Sequence, residues 1–400
     1  MDTQKDNRIR SALRAPVVPY AASFLLLGAY LLVLFLQGKI TGAYGYYRIH
    51  YLYTYDHGYV ARGLVGEVIG WFCDKVTDEV TQNVIFGFSV LLMLAAVLCI
   101  GRALNKVRDD AERYRWTLLL LVVICILPFS LRGYYTDIKL DKILWVLTLF
   151  AVLLSGSKVG IWFVPVLCAL ATMVNPVFLF CSMILISIIL LQKFYDSHYA
   201  AGNGAICLIA YLSMIALGLF GSIMEKHLGF TTPEELLEFY FARDFNGLPF
   251  AEEFQRFGEE WIMDYFYPVG DCFRMAFDIY FKEWKNNLTV IPNTLLYAIP
   301  AYIVLTVFWK KVIRTEKNKF QKFIFFLCAI SPVVLILPIV LSWESSKYFG
   351  NNIMVQLCLI VYYIVQKNES VLAALRAAKQ WCREHLLVTT ALLAYFALSM

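Results

Sequence analysis

Eleven apolar stretches recur along this chain, at 17–38, 80–101, 116–131, 142–156, 159–174, 177–192, 204–222, 290–309, 322–342, 350–366 and 386–400. A helix needs about 20 mostly apolar residues to cross a bilayer, and in hydrocarbon every backbone group must be paired inside its own segment. Repeated runs of that length predict an all-α polytopic transmembrane helical bundle of about 11 spans. The composition agrees, with 60% of the 400 residues hydrophobic and 16% charged, against roughly 25% charged in a soluble domain. No cleavable leader is expected: the first run, Val17 to Leu36, is too long for a signal-peptide core and no small-residue cleavage site follows it.

The connections between these stretches fall into two chemical classes. KDNRIRSALR, NKVRDDAERYR, KKVIRTEKNKFQK and the segment holding Arg376, Lys379 and Arg383 are rich in Lys and Arg, which marks the cytoplasmic side. An odd number of crossings then places the N-terminus in the cytoplasm and the C-terminus outside, in a bacterial inner membrane. The net charge of +5 follows from this topology and supports no nucleic-acid partner; membrane lipids are the expected surroundings.

The chain divides into an N-terminal transmembrane module (1–222) with a first outer loop (39–79), an outer helical cap (223–289) and a C-terminal transmembrane module (290–400). Between Ile223 and Thr289 there are 13 acidic and 6 basic side chains, a bias that long translocated loops tolerate. In TPEELLEFYFARDF and FAEEFQRFGEEWIMDYF the apolar residues recur at helical spacing, with Thr231 or Thr232 as the start of a helix. The ten cysteines lie mostly within apolar runs and form no CxxC pair, so they read as small buried hydrophobes and no metal site is expected from them. Cys73 and Cys272 sit in outer loops, which leaves a disulfide between them open.

Candidate chemistry lies in the outer connections. The first reads YGYYRIHYLYTYDHGYVARGLVGEVIGWFCDKV, with Asp56, His57 and Arg62 close together among seven tyrosines. From Arg62 to Val76, Leu64, Val65, Val68, Ile69 and Phe72 fall on one side, as in an amphipathic helix lying in the membrane interface. Asp56 either caps the turn or meets a headgroup; the tyrosines either anchor the loop or stack on a sugar ring.

The second outer turn, RGYYTDIKLDK, carries Arg132, Asp137, Lys139, Asp141 and Lys142. Charges this near hydrocarbon are costly unless paired or solvated, which makes them functional candidates. Cations beside a carboxylate suit a phosphate-bearing substrate, the cations holding the leaving group while the acid takes a hydroxyl proton. Mutual ion pairing at a helix end is the structural alternative. The last outer turn, SWESSKYFGNN, adds Glu344 and Lys347, which either pair or contact a phosphate.

This arrangement of a long outer loop with an acid, an interfacial helix, a second acid in the next outer turn and a further large outer segment resembles the GT-C class of polytopic glycosyltransferases. The resemblance implies a sugar donor linked to a polyprenyl phosphate and a glycan or lipid acceptor at the outer face. It implies Asp56 as the first-loop carboxylate, with Asp137 or Asp141 as the acid of the second turn. The chain departs from that class in lacking an adjacent Asp-Asp or Glu-x-Asp pair in its outer loops and a soluble C-terminal domain, which leaves open both a divalent metal cofactor and the acceptor. DHGYVARGLVG also resembles an Asp-Gly-aromatic-Arg-Gly-Leu stretch of bacterial surface-polysaccharide membrane proteins. Two other functions fit the same topology: a polysaccharide polymerase or ligase using polyprenyl-diphosphate-linked units, which leans on Arg and His, and a lipid-linked sugar flippase or transporter.

Overall fold

A computed structural model describes residues 15–42, 46–56, 58, 62–126, 134, 139–196, 201–224, 232, 235, 238–239, 242–243, 284–335 and 345–399. Their regular secondary structure is helical, with no strand among the described residues. In chain order the helices are α1 (Val18–Leu36), α2 (Tyr46–Leu52), α3 (Gly63–Gly70), α4 (Asp78–Val107), α5 (Ala111–Ile126), α6 (Asp141–Leu154), α7 (Val164–Val174), α8 (Met183–Asp196), α9 (Ala201–Met224), α10 (Trp284–Thr315), α11 (Lys319–Ile330), α12 (Ser345–Val365), α13 (Glu369–Glu384) and α14 (Leu386–Ser399).

The described part of each of the eleven apolar stretches lies mainly on helix. Among the described residues, four helices are long and apolar enough to cross a membrane by length and composition: α1, α4, most of α9 and most of α12. Helix α4 is the central post. It packs on α1, α5, α6 and α12, while α7 bridges α6 and α9, and α8 touches α6, α9, α11 and α12. Its start is set locally, because the Thr77 hydroxyl accepts from the Val80 amide and Asp78 and Glu79 occupy the first turn, favourable beside the exposed amides of a helix N-terminus.

Three stretches are broken where the sequence supplies a reason. Pro165 stands at the first turn of α7, which is preceded by a 3₁₀ turn, Gly160–Phe163. Pro176 ends α7, and the Asn175 side chain caps the following 3₁₀ turn, Pro176–Leu179, by accepting from the Val177 amide, so α8 starts only at Met183. Ser331–Leu335, containing Pro332, ends α11 as another 3₁₀ turn. Proline removes a helix donor and clashes with the preceding turn.

The interfacial helix is shorter than its apolar pattern, and its face is divided. Val65 and Ile69 are buried, whereas Val68, Trp71 and Phe72 are exposed. Gly66 explains the close docking, since a Cβ there would lie 2.1 Å from the Tyr53 carbonyl oxygen. In the outer cap, Thr232 accepts from the Glu235 amide at 3.3 Å, as expected of a helix start; the rest of the cap, with Cys272, lies almost wholly outside the described residues.

Candidate functional site

The first outer loop is built around a tight reversal of the chain. Helix α2 runs into buried Tyr53 and Thr54, and the Gly58 amide donates to the Tyr55 carbonyl at 3.2 Å. Gly58 has φ +124°, a conformation side chains rarely adopt. Arg62, at φ +72°, opens α3, an uncommon left-handed setting for a non-glycine residue. Gly63 sits under the Tyr55 ring, where a Cβ would come within 2.6 Å.

Charged side chains tie this loop down. Arg48, 4% exposed, pairs with Asp78 at the first turn of α4 and donates to the Val76 carbonyl at 2.6 Å. The Arg62 guanidinium donates to Nε2 of buried His50 at 3.0 Å, which fits a neutral imidazole with its proton on Nδ1. Glu67 accepts from the Tyr55 amide at 2.8 Å and from the Trp71 indole at 3.2 Å.

Asp56 is an accessible acid of this loop, with 57% of its side chain exposed. Its carboxylate accepts from the Thr54 hydroxyl at 2.8 Å and faces the Arg243 guanidinium at 3.7 Å. Arg243 comes from the large outer segment. Its carbonyl accepts from the Val76 amide at 2.9 Å and its guanidinium reaches the Gly66 carbonyl at 3.4 Å. The second outer turn joins the same cluster, for the Lys139 ammonium lies over the Tyr47 ring, 4.9 Å from its centroid, within the range of a cation–π contact. Lys139 and Arg243, from two separate connections, thus meet the loop built by α2 and α3.

The other sequence candidates are distributed unequally. His57, Arg132, Asp137 and Glu344 lie outside the described residues, and Lys347 falls in the first turn of α12 with its side chain outside them. Asp141 and Lys142 are not loop residues: they form the first turn of α6 and are each 2% exposed. Lys142 donates to the Ser89 hydroxyl at 2.8 Å and reaches the Ile85 carbonyl at 3.4 Å, both on α4. Asp141 accepts from Asn175 at 3.5 Å.

Elsewhere in the bundle lies a set of buried polar side chains. Asn351 accepts from the Trp145 indole at 2.8 Å and from the Tyr134 hydroxyl. Asn352 accepts from Tyr302 at 3.2 Å and donates to Ser331 at 3.3 Å, and Gln356 accepts from Trp309 at 2.8 Å. Among the described residues, no three His, Cys, Asp or Glu side chains gather as a metal site would require.

Arg48, His50 and Arg243 carry this geometry without having stood out as site residues. Arg243 had a weak signal, being one of few cations in an acidic segment. Asn352 and Gln356 were visible as polar residues at i and i+4, spaced for one helical face within an apolar run, with Asn351 beside them.

Residues 8–180 match the model of a family described as uncharacterised membrane protein Rv1490. That match takes in α1 to α7, the first outer loop and the second outer turn, but not Arg243 or the C-terminal half. Searches of curated proteins and of solved structures give no match. With its apolar helices, the likeness establishes a multi-helix membrane protein.

Proposed function

We propose that this protein is a GT-C-like membrane glycosyltransferase that moves a sugar from a polyprenyl-phosphate-linked donor to a cell-envelope glycan or lipid at the outer face, with about 11 spans, the N-terminus cytoplasmic and the C-terminus outside. The observation that carries the proposal is that Lys139 and Arg243, from two other connections, meet the loop that holds Asp56 and Arg62.

In this reading an acceptor hydroxyl oxygen attacks the anomeric carbon, the bond from that carbon to the phosphate oxygen breaks, and the phosphate leaves with the electron pair. Asp56 takes the hydroxyl proton. Arg62 and Lys139 stabilise the departing phosphate, and Asp137 orients the acceptor. Lys142 is given no phosphate, because its ammonium is directed to Ser89 and Ile85 of α4.

Asp56→Asn keeps the shape and removes the base. Transfer measured with lipid-linked donor in reconstituted vesicles should fall by about 10²-fold or more, with the melting temperature near that of the unaltered protein; full activity would remove Asp56 from the chemistry.

The His50–Arg62 pair favours a second reading, a polymerase or ligase acting on diphosphate-linked units. There His50→Ala and Arg62→Ala would abolish product while Asp56→Asn would not. Movement of lipid-linked sugar across the vesicle with no glycosidic product would point instead to a flippase.

A further inference from the structure

The other end of α4 holds a second constellation, about 36 Å from Asp78 by the 24 residues that separate Asp78 from Arg102. A cavity of about 170 Å³ opens there between α4, α5, α6, α8 and α12. Ala96, Ile100, Leu121, Leu149, Ile189 and Val361 form its apolar wall, and Arg102, Lys106 and Lys193 stand among its lining residues.

Arg102 is held in place. Its guanidinium donates to the Leu153 carbonyl at 3.0 Å and the Gly156 carbonyl at 3.4 Å, the end of α6 where helix carbonyls lack internal partners. Gly156 makes room for it, since a Cβ there would lie 2.2 Å from the guanidinium nitrogen. Arg102 repels both Lys106 and Lys193, Lys106 also repels Lys193, and Asp196 offsets this in part. Among the described residues neither lysine forms an ion pair. The Tyr362 hydroxyl, on the cavity wall, is shut off from solvent without a partner at hydrogen-bond geometry, although Gln366 lies beside it.

Three cations brought together at the mouth of an apolar cavity lower their mutual repulsion when an anion joins them. A buried hydroxyl without a partner is costly until an oxygen is supplied. The cavity resembles in size one of about 150 Å³ that takes benzene, so it admits a short length of hydrocarbon and not a whole lipid tail. Free phosphate would use the cations and leave the apolar wall unused.

We propose that this pocket binds an anionic, phosphate-bearing membrane lipid at the basic-loop end of the bundle, its phosphate among Arg102, Lys106 and Lys193 and the first carbons of its tail in the cavity. The site is separate from the outer cluster and stands whether or not the protein is a transferase.

Native mass spectrometry of the full chain in detergent tests it, with phosphatidylglycerol, polyprenyl phosphate, phosphatidylcholine and inorganic phosphate as probes. Retention of either anionic lipid at least tenfold above phosphatidylcholine, with no retention of inorganic phosphate, is expected; the better retained of the two names the source. Lys106→Gln with Lys193→Gln should weaken retention tenfold or more, while Lys106→Arg with Lys193→Arg should restore it. A lipid carrying a photoreactive group near its headgroup should crosslink within residues 96–106 or 354–366. Wild-type retention by the Gln variant, equal retention of phosphatidylcholine, or crosslinks confined to other helices would each overturn the proposal.

Discussion

Gly66 decides whether the outer loop can close. A methyl group there would press on the backbone oxygens of Tyr53 and Tyr51, at 2.1 and 2.7 Å, and backbone buried under a helix cannot step aside as a flexible side chain can. Gly66→Ala should therefore cost about 1–3 kcal/mol and shift the Thr54–Asp56 segment, lowering both melting temperature and transfer. Gly87, in the middle of α4, is the matched control, because a Cβ there meets nothing within 4 Å. Gly87→Ala should leave activity intact and add up to about 1 kcal/mol through helix propensity. Equal effects of the two in a detergent melt would show that α3 does not dock against the Tyr53 backbone. Arg62 belongs to the same scale: it keeps a left-handed backbone that glycine would occupy with less strain, while its guanidinium holds His50. Such settings tend to mark functional positions.

At the scale of elements, hydrophobic pattern was legible wherever the lipid dictates it. Apolar length located α1, α4, α9 and α12, the helices long enough to cross a membrane, because a segment in hydrocarbon has no other composition available. The interruptions at Asn175–Pro176 and Pro332 were only partly legible, since proline announces a break without saying where the helix resumes. Helix α13 went unlisted because only part of it is apolar: Val371, Leu372, Ala374 and Leu375 are buried, and its remainder is largely polar. Its cap was readable in retrospect, Asn368 accepting from the Val371 amide at 3.0 Å. The site was less legible than the bundle, because pairs such as Asp56 with Arg243 join residues nearly two hundred positions apart, for which local spacing carries no signal.

Helix α13 packs on α10 and is tied to α5 by a forked contact in which Arg376 donates to both oxygens of Glu112, at 2.8 and 2.7 Å. The hydrogen bond from Arg376, opposed in part by desolvation, holds the Glu112 carboxyl below its ordinary range. A carboxyl depressed in the folded state stabilises above its unfolded pKa, about 4.3, and loses that contribution as pH falls through the folded value. Both partners are about half exposed, so solvent screening keeps the effect at neutral pH below about 1 kcal/mol. Arg376→Ala should thus change the melting temperature slightly at pH 7 and not at all well below pH 4. A difference that grows on acidification would contradict this ion pair.

For the molecule as a whole, helix lengths shape where chemistry can occur. Helix α4, with 30 residues, is about 45 Å long, and α6, with 14, is about 21 Å, against about 30 Å of hydrocarbon. The Lys142 ammonium meets α4 at Ser89, 11 residues past Asp78, so the start of α6 sits about 16 Å along α4 from its outer end. Cysteine substitution tests the geometry together with the orientation. In intact cells a membrane-impermeant maleimide should label Lys139→Cys at once, and Lys379→Cys on α13 only after permeabilisation. Added lipid-linked donor should slow the first reaction severalfold and leave the second unchanged. If Lys379→Cys is the one labelled from outside, the cluster around Asp56 faces the cytoplasm and an outer-face transfer is excluded.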